Sequence, residues 1–294
     1  MSGRKKILFV VNPISGGLNK GRLPEMICKH LDRTVFEPEL FYTSLKLNAV
    51  QITQTAIDEK FDLVIAAGGD GTMNQVAQKL IGTDIKMGIL PLGSGNGLAR
   101  HLNIPLNLSK AIGFINRQSS QRIDTIRIND KYSINCIGIG FDAFVAYHFS
   151  KLPKRGLQTY VSTTITQFKN YRRQQYELTV DGRELNGNAA LVTFANSSQW
   201  GNNFYIASSA DIQDGKIDVT IINELNYKNF IQLGYRLLTK TLHRSRQAEM
   251  YRAEKIKLFL PENTPMHIDG EPMLSKGSFD VGINPRSLNI LCDL

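Results

Sequence analysis

The sequence predicts an α/β N-terminal domain with a doubly wound parallel sheet, followed by a C-terminal antiparallel domain that resembles a β-sandwich. Three observations support this prediction. Apolar runs alternate with helical patterns over the first 120 residues, glycine-rich turns follow three of those runs, and short β-forming runs dominate after about residue 121. We expect residues 1–124 to form the first domain and residues 125–294 the second, with a C-terminal tail from about residue 288 returning to the first.

The first domain is predicted to contain four pairs of a strand and a helix. Short apolar runs that end in turn residues predict strands at 5–12, 37–44, 61–67 and 86–93. Apolar residues at helical spacing predict helices at 20–32, 48–60, 73–82 and 95–103. In the second domain, two helical stretches near 141–170 and 226–248 interrupt the β-forming runs.

Composition is typical of a globular protein, with 42% hydrophobic and 21% charged residues in a chain of 294. No apolar run reaches the roughly 18 residues of a membrane-spanning helix. The cysteines Cys28, Cys136 and Cys292 are too far apart for a disulfide framework or a metal cluster, so we expect a reducing, cytoplasmic setting. The net charge of +9 favours anionic partners, although mild basicity also occurs without one. The basic residues are dispersed and carry no RNA-binding or zinc-finger signature, which argues against nucleic acid.

Three glycine-rich turns follow predicted strands: "NPISGG" at 12–17, "GGDGT" at 68–72 and "PLGSGNG" at 91–97. Ligands of doubly wound sheets bind beyond the carboxyl ends of the strands. N–H groups at glycine turns and helix starts attract anions, so three such turns predict a polyphosphate, most simply a nucleotide. The alternative is that the glycines only form tight turns. The chain has neither Gly-x-Gly-x-x-Gly after its first strand nor a P-loop motif.

These motifs, taken in order, resemble the diacylglycerol kinase catalytic domain family, which includes bacterial lipid kinases, sphingosine kinases and ceramide kinases. NAD kinases and phosphofructokinases are distant relatives. The resemblance rests on the three turns, on "MNQV" after Thr72, on "DIQDGKID" at 211–218 and on "HIDGE" at 267–271. It implies a two-domain architecture like that of NAD kinase and diacylglycerol kinase, and transfer of the γ-phosphate of ATP to a lipid hydroxyl with Mg²⁺. It also implies a cytoplasmic protein that reaches its lipid substrate at the membrane surface, with a homodimer left open.

The resemblance implies that backbone donors and hydroxyls of the three turns contact ATP. The candidate residues are Asn12, Pro13, Ser15, Gly16, Thr43, Gly69, Asp70, Gly71, Thr72, Met73, Asn74, Gln75, Ser94, Gly95 and Asn96. Asp70 is the candidate for holding Mg²⁺ near the β- and γ-phosphates. The alternative for Asp70 is a helix N-cap, a role that Thr72 could equally take.

Phosphoryl transfer to an alcohol needs a group that accepts or positions the hydroxyl proton. The resemblance places this proton acceptor at Glu271, with Asp269 beside it. Sphingosine kinases suggest Asp70 as the base instead, and both assignments stay open. The alternative for "DGE" is an ordinary β-turn with solvated charges.

The turn "DIQDGKID" resembles a second acidic turn of the family, which holds a structural Mg²⁺ in some bacterial members. The implied ligands are Asp211, Asp214 and the backbone carbonyl of Lys216, since oxygen atoms on a tight turn suit a hard cation. The alternative is a solvated Asp-Gly hairpin turn.

One departure from the family pattern bears on the substrate. Many bacterial diacylglycerol kinases have aspartate after the asparagine of the fourth-strand turn, whereas this chain has Asn96-Gly97, which is closer to sphingosine kinases. The substrate is therefore expected to be diacylglycerol-like or sphingosine-like. The competing functions are an NAD kinase-like enzyme and a catalytically inactive nucleotide-binding regulator.

Two stretches are candidates for contact with a membrane, because each mixes basic and apolar residues. The first is 150–161, with Lys151, Lys154, Arg155, Leu152, Leu157 and Tyr160. The second is 229–246, whose apolar side is predicted to carry Phe230, Leu233, Leu237 and Leu238, with Arg236, Lys240, Arg244 and Arg246 supplying positive charge. The alternative is that the second stretch packs its apolar side on the sheet.

Overall fold

The computed structural model describes residues 3–16, 20–152 and 156–293. It divides into two compact units: an N-terminal unit, which ends at Ile123 but also includes the segment from Arg286 onward, and a C-terminal unit, Asp124–Pro285. The chain therefore returns to its first unit at the C-terminus.

The described residues form nineteen strands and eight α-helices. The strands are β1 (Lys5–Val11), β2 (Phe36–Tyr42), β3 (Leu63–Gly68), β4 (Lys86–Pro91), β5 (Ser120–Ile128), β6 (Lys131–Ser133), β7 (Cys136–Gly140), β8 (Gln174–Val180), β9 (Arg183–Glu184), β10 (Gly187–Ala189), β11 (Leu191–Ala195), β12 (Gln199–Gly201), β13 (Phe204–Tyr205), β14 (Ile217–Ile222), β15 (Ala248–Ala253), β16 (Lys255–Phe259), β17 (Pro265–Ile268), β18 (Glu271–Leu274) and β19 (Ser278–Leu291). The helices are α1 (Leu23–His30), α2 (Ala49–Asp58), α3 (Asp70–Leu80), α4 (Gly97–His101), α5 (Leu108–Ile115), α6 (Phe141–Ser150), α7 (Leu157–Phe168) and α8 (Tyr227–Leu238). Short 3₁₀ helices cover Lys20–Arg22 and Leu242–Arg244.

The N-terminal unit is built on the predicted parallel sheet, in the order β2-β1-β3-β4, with the end of β19 parallel to β4. The central strands β1 and β3 are buried over nearly their whole length, because helices cover both faces of such a sheet. Since these strands are parallel, their carboxyl ends lie at one edge. The turns after β1, β3 and β4 are therefore neighbours at that edge.

Helix α5 was not predicted. Its signals are an N-cap, Asn107, whose side chain accepts from the Lys110 N–H at 3.1 Å, and buried residues at helical spacing: Ala111, Ile112, Phe114 and Ile115. Its apolar face packs into the same core cluster as the apolar residues of α1. Helix α3 begins at Asp70, three residues earlier than expected.

The C-terminal unit confirms the predicted antiparallel sandwich. One sheet has the order β15-β14-β11-β7-β17-β18 and the other includes β10-β8-β16-β19. Alternate residues of the two sheets meet in one apolar core, for example Ile139 and Phe194 from the first and Leu178 and Val281 from the second.

The predicted helical stretches of this unit are shorter than expected. The stretch 141–170 is two helices, α6 and α7, and α8 ends at Leu238. Lys240 has a left-handed backbone (φ 60°), which stops the helix, so Arg244 and Arg246 lie beyond it. No helix in the described part of the chain is long and apolar enough to cross a membrane.

Candidate active site

The glycine turns of the N-terminal unit are packed tightly against one another. A Cβ on Gly93 would lie 2.4 Å from the Cα of Gly69, and a Cβ on Gly16 would lie 2.1 Å from the carbonyl oxygen of Leu92. Gly16 also has a left-handed backbone (φ 57°). At these positions glycine is required by contact between the turns. Close backbone packing is thus a reason for glycine here in addition to the predicted anion-binding role of the turns.

Side-chain hydrogen bonds join the first turn to the second. Asn12 Nδ2 donates to Thr72 Oγ1 at 3.1 Å, while Asn12 Oδ1 accepts from the Ile14 N–H at 3.1 Å. The Ser15 hydroxyl donates to the Asn12 carbonyl at 3.0 Å. The turn after β1 is therefore held to the start of α3.

Asp70 joins the second turn to the third. Its Oδ2 accepts from the Asn96 N–H at 2.9 Å and its Oδ1 accepts from the Gly97 N–H at 2.8 Å. The N-cap of α3 is Gly69, so the alternative in which Asp70 or Thr72 caps this helix is wrong. Asp70 is instead the first residue of α3, where the helix dipole favours a negative charge.

Asn96 supports the third turn from within. It has a left-handed backbone (φ 52°), which asparagine tolerates better than most residues. Its Oδ1 accepts from the Gly93 N–H at 3.1 Å and its Nδ2 donates to the Gly93 carbonyl at 2.8 Å. Asp70 and Asn96 together hold "GSGNG" in one conformation.

All the predicted nucleotide-binding residues lie at or just after the carboxyl ends of β1 to β4. Met73 does not fit the expected role, because its side chain is fully buried and its N–H donates to the Gly69 carbonyl. Asn74 accepts from Gln78 Nε2 at 3.0 Å, and Ser94 is exposed. Gly17 of "NPISGG" lies outside the described residues.

In the C-terminal unit, "HIDGE" forms a hairpin. Ile268 of β17 pairs with Glu271 of β18, and the two turn residues between them, Asp269 and Gly270, have φ values of 50° and 81°. Two adjacent left-handed residues indicate a type I′ turn, for which Asp-Gly is a preferred sequence. This turn places the two acidic side chains in different surroundings.

Asp269 is buried and fully engaged. Its carboxylate accepts from the Ser133 hydroxyl at 2.6 Å and from the backbone N–H groups of Ile134, Asn135 and Cys136 at 2.9, 3.0 and 2.9 Å. The side chain is only 2% exposed. The expectation of a role beside Glu271 in proton transfer is thus corrected, because Asp269 anchors the hairpin to the segment before β7.

Glu271 has the opposite environment. It is exposed, and no side chain or backbone group in the described part of the chain donates to its carboxylate or pairs with it. A carboxylate on a rigid hairpin with free oxygen atoms can accept a proton from a bound hydroxyl. The alternative of an ordinary solvated turn therefore fits Glu271 alone and does not fit Asp269.

His267 belongs to the same hairpin and was not singled out in the sequence. Its Nε2 lies 3.1 Å from Asp142 Oδ2, and both side chains are buried. Its Nδ1 accepts from the Gly270 N–H at 3.3 Å. The strand alternation of Met266, His267 and Ile268 could have indicated that His267 faces away from the core, but nothing local indicates Asp142 as its partner.

The acidic turn at 211–218 pairs with Arg252 of β15. Arg252 Nη1 lies 3.4 Å from Asp214 Oδ2 and Arg252 Nε lies 3.5 Å from Asp218 Oδ1. Asp211 Oδ1 accepts from the Gln213 N–H and Asp214 Oδ1 from the Lys216 N–H, both at 2.9 Å. Within residues 3–16, 20–152 and 156–293, no group of three or more His, Cys, Asp or Glu side chains is arranged to hold a metal ion. Of the three proposed ligands, Asp214 is therefore the one that pairs with the Arg252 guanidinium group.

Asp218 titrates unusually in this turn. Burial raises the pKa of its carboxyl to about 6, and the neighbouring Asp214 adds to the shift, while Arg252 opposes it. Asp218 faces Arg252 directly across the β14–β15 pair. Arg252 is therefore the cation that pairs with Asp214 and Asp218, while the ammonium group of Lys216 pairs with Glu254.

Family models match almost the whole chain. The diacylglycerol kinase catalytic domain matches residues 6–128, and the YegS C-terminal NAD kinase β-sandwich-like domain matches residues 135–292. The chain therefore carries the diacylglycerol kinase catalytic domain followed by the YegS C-terminal domain. The match confirms the predicted family and assigns the sandwich to the second half of the chain.

Curated relatives align with about nine-tenths of the chain. The chain is 28% identical to a diacylglycerol kinase of Bacillus subtilis over 91% of this chain and 90% of the relative. It is 26% identical to a diacylglycerol kinase of Staphylococcus carnosus over 91% and 89%. Two crystal structures from Bacillus anthracis, one of them of a diacylglycerol kinase, align with all of this chain at TM-scores of 0.77 and 0.74. Their identities of 21% and 18% support the shared fold alone.

Proposed function

We propose that the protein is a lipid kinase that transfers the γ-phosphate of ATP to a hydroxyl of a diacylglycerol-like lipid. The single observation that carries this proposal is the contrast within "HIDGE". One carboxylate is buried and holds the hairpin, and the other is exposed and free to accept a proton. Family membership supplies the reaction class.

The three interlocked turns of the N-terminal unit support a site for ATP. N–H groups at glycine turns and at the start of α3 are suited to phosphate oxygens. Asp70, Asn96 and Thr72 hold these turns together, so the donors are arranged before the nucleotide arrives. Mg²⁺, when bound, would neutralise charge on the β- and γ-phosphates, and the Asp70 carboxylate is an oxygen donor of the type it prefers.

The surroundings of the two candidate bases favour Glu271. Asp70 is committed to the N–H groups of Asn96 and Gly97, and proton uptake by its carboxylate would weaken both bonds. Glu271 has no such bond to lose. In this proposal Asp70 organises the nucleotide site. Glu271 accepts the hydroxyl proton while the lipid oxygen bonds to the γ-phosphorus, and the bond from that phosphorus to the β–γ bridging oxygen breaks, so that ADP leaves.

The substrate class rests on the relatives, several of which carry the name diacylglycerol kinase. Gly97 keeps a sphingosine-like lipid as the second candidate. The Gly97 N–H donates to Asp70 at 2.8 Å, a backbone contact that does not depend on the side chain at position 97 unless that residue is proline.

An exposed apolar stripe on α8 supports binding at a membrane surface. Tyr227, Ile231 and Tyr235 lie at intervals of four residues and are 68%, 80% and 65% exposed. Lys240 and Arg244, beyond the end of the helix, are also exposed. Apolar side chains next to positive charge match an anionic bilayer surface.

The predicted membrane face of α8 was partly wrong. Leu237 is buried, Leu233 is partly buried against the core, and the ring of Phe230 packs 4.6 Å from Phe168 of α7. Leu238 alone among the predicted apolar set is exposed. Lys154 and Arg155 of the other stretch lie outside the described residues.

The proposed activity is tested by phosphate transfer from radiolabelled ATP with Mg²⁺ to separate vesicles of diacylglycerol, sphingosine, ceramide and monoacylglycerol, and to NAD in solution. We expect a labelled lipid with wild-type protein and none with Glu271→Gln. Labelled NAD would instead support the NAD kinase-like alternative. ATP binding without any labelled acceptor would support the inactive regulator.

The membrane surface is tested by sedimentation with anionic phosphatidylglycerol vesicles and with neutral phosphatidylcholine vesicles. Ile231→Asp should abolish most of the binding to anionic vesicles. Gln232→Asp is the matched control, because Gln232 is an exposed polar neighbour on the same helix and the change adds the same charge. Equal losses for both variants would contradict an apolar contact and leave charge as the sole cause.

A further inference from the structure

The buried pair His267–Asp142 has no role in the proposed reaction as stated so far. Asp142 lies in the first turn of α6, where its Oδ1 also accepts from the Ala143 N–H at 2.8 Å. His267 lies on β17, two residues before the Asp269–Gly270 turn. Both side chains are less than a tenth exposed, so the contact is isolated from solvent.

The hydrogen bonds define the protonation of the imidazole. Because the Gly270 N–H donates to Nδ1, that nitrogen must carry a lone pair. The single ring proton is then on Nε2, which donates to Asp142 Oδ2 at 3.1 Å. Asp142 therefore selects the tautomer that leaves Nδ1 free to accept from the turn.

The neighbouring strand is shaped for this pair. Gly138 of β7 faces His267 directly in the antiparallel register. A Cβ on Gly138 would lie 2.2 Å from both His267 Nε2 and Asp142 Oδ2. The absence of a side chain at position 138 thus provides the space in which the two groups meet.

We propose that His267 is a positioning residue for Glu271, and that Asp142 acts through His267 by fixing its tautomer. Asp269 anchors one residue of the turn to the segment before β7, and His267 holds the N–H of the other. Glu271 follows this turn directly, so the two anchors together set the direction of its carboxylate. The proposal rests on the proposed function, in which Glu271 accepts the hydroxyl proton.

Two substitutions test the roles of the two ring nitrogen atoms separately. His267→Asn can place an amide oxygen near the position of Nδ1 and so keep an acceptor for the Gly270 N–H. His267→Gln can place an amide N–H near Nε2 and keep the contact with Asp142, but it leaves the turn without its acceptor. Both remove the same aromatic ring, so their effects on folding should be similar.

The readouts are kcat and KM for ATP with the lipid that the wild-type protein phosphorylates, and the melting temperature of each variant. We expect His267→Asn to keep kcat within about threefold of wild type. His267→Gln should lower kcat about 10- to 100-fold with an unchanged KM for ATP, because a small displacement of a reacting group lowers the rate of the chemical step. Equal losses of kcat in the two variants, or losses that follow the melting temperature, would overturn the positioning role.

A second measurement is independent of kinase activity. Nitrogen-15 NMR of the full-length protein with labelled histidine should show His267 as the Nε2–H tautomer, and Gly138→Ala should abolish that preference. An Nδ1–H tautomer in the wild-type protein would overturn the proposal directly. Absence of any phosphorylated lipid with wild-type protein would instead overturn the proposed function, so the two failures are distinguishable.

Discussion

Substitutions of the two carboxylates of "HIDGE" should have different effects, one on the stability of the protein and the other on its activity. We consider Asp269→Asn, which removes the charge and replaces one oxygen by an NH₂ group. Asparagine keeps the left-handed conformation required at position 269 (φ 50°), and Asn-Gly is as well suited to the type I′ turn as Asp-Gly. The substitution should therefore leave the backbone conformation of the turn unchanged.

The magnitude follows from the four donors that Asp269 receives. The new NH₂ group is best placed toward the Ile134 N–H, because Oδ1 receives the other three bonds. That placement loses one charge-assisted bond and sets two donors against each other, at about 1–3 kcal/mol. The other three bonds lose charge assistance, which is partly offset because a buried charge is removed. The net loss should be about 2–4 kcal/mol.

Thermal and urea unfolding of the purified protein measure this loss. A unit of this size loses roughly 2–4 °C in melting temperature per kcal/mol, so Asp269→Asn should melt about 5–15 °C lower. Glu271→Gln is the matched control. It should melt within about 2 °C of wild type, because Glu271 is exposed and has no partner in the described part of the chain.

Activity below the melting temperature completes the comparison. Asp269→Asn should keep measurable phosphate transfer, whereas Glu271→Gln should lose it. The reasoning would be refuted if Asp269→Asn melted like wild type and lost its activity. That result would mean that Asp269 takes part in the chemistry and that its four hydrogen bonds contribute little to folding.

Three further predictions follow from the N-terminal turns and the acidic turn. Gly93→Ala should raise the Kd for ATP at least about tenfold, because the new Cβ would lie 2.4 Å from the Cα of Gly69. Gly113→Ala is the control and should bind ATP like the wild-type protein, because its Cβ would meet no atom within 4 Å. Asp70→Asn should raise the KM for ATP more than it lowers kcat, and a collapse of kcat at constant KM would instead make Asp70 the base. For Asp218, burial raises the carboxyl pKa to about 6, so the folded state holds this proton more tightly than the unfolded chain. The free energy of unfolding should therefore fall by about 1–2 kcal/mol as pH rises from about 4 to about 6 in urea titrations. Asp218→Asn should flatten that fall, and a profile unchanged by the substitution would contradict the assignment. A shift of the fall to lower pH on addition of Mg²⁺ would support cation binding at the turn.

The sequence determined the features that depend on neighbours along the chain. Alternation of apolar runs with helical patterns defined the parallel sheet, and glycine at 68–72 and 91–97 marked the ends of β3 and β4. Asp-Gly at 269–270 marked a tight turn, and order and spacing of the motifs were sufficient for the family. These signals are local because backbone conformation and burial pattern depend on residues a few positions apart.

Tertiary structure decided which partner each functional side chain has. Asp269 and Ser133 are 136 positions apart, and His267 and Asp142 are 125 apart, so no pattern within either segment could pair them. The exposed side of α8 could not be predicted for the same reason. Phe168 of α7 packs on Phe230, and this contact between two helices is not visible in the pattern of α8 itself. The sequence could show that two carboxylates stand in one turn. Only the fold could decide that one of them is saturated by buried donors and the other is exposed, because those donors come from a distant part of the chain.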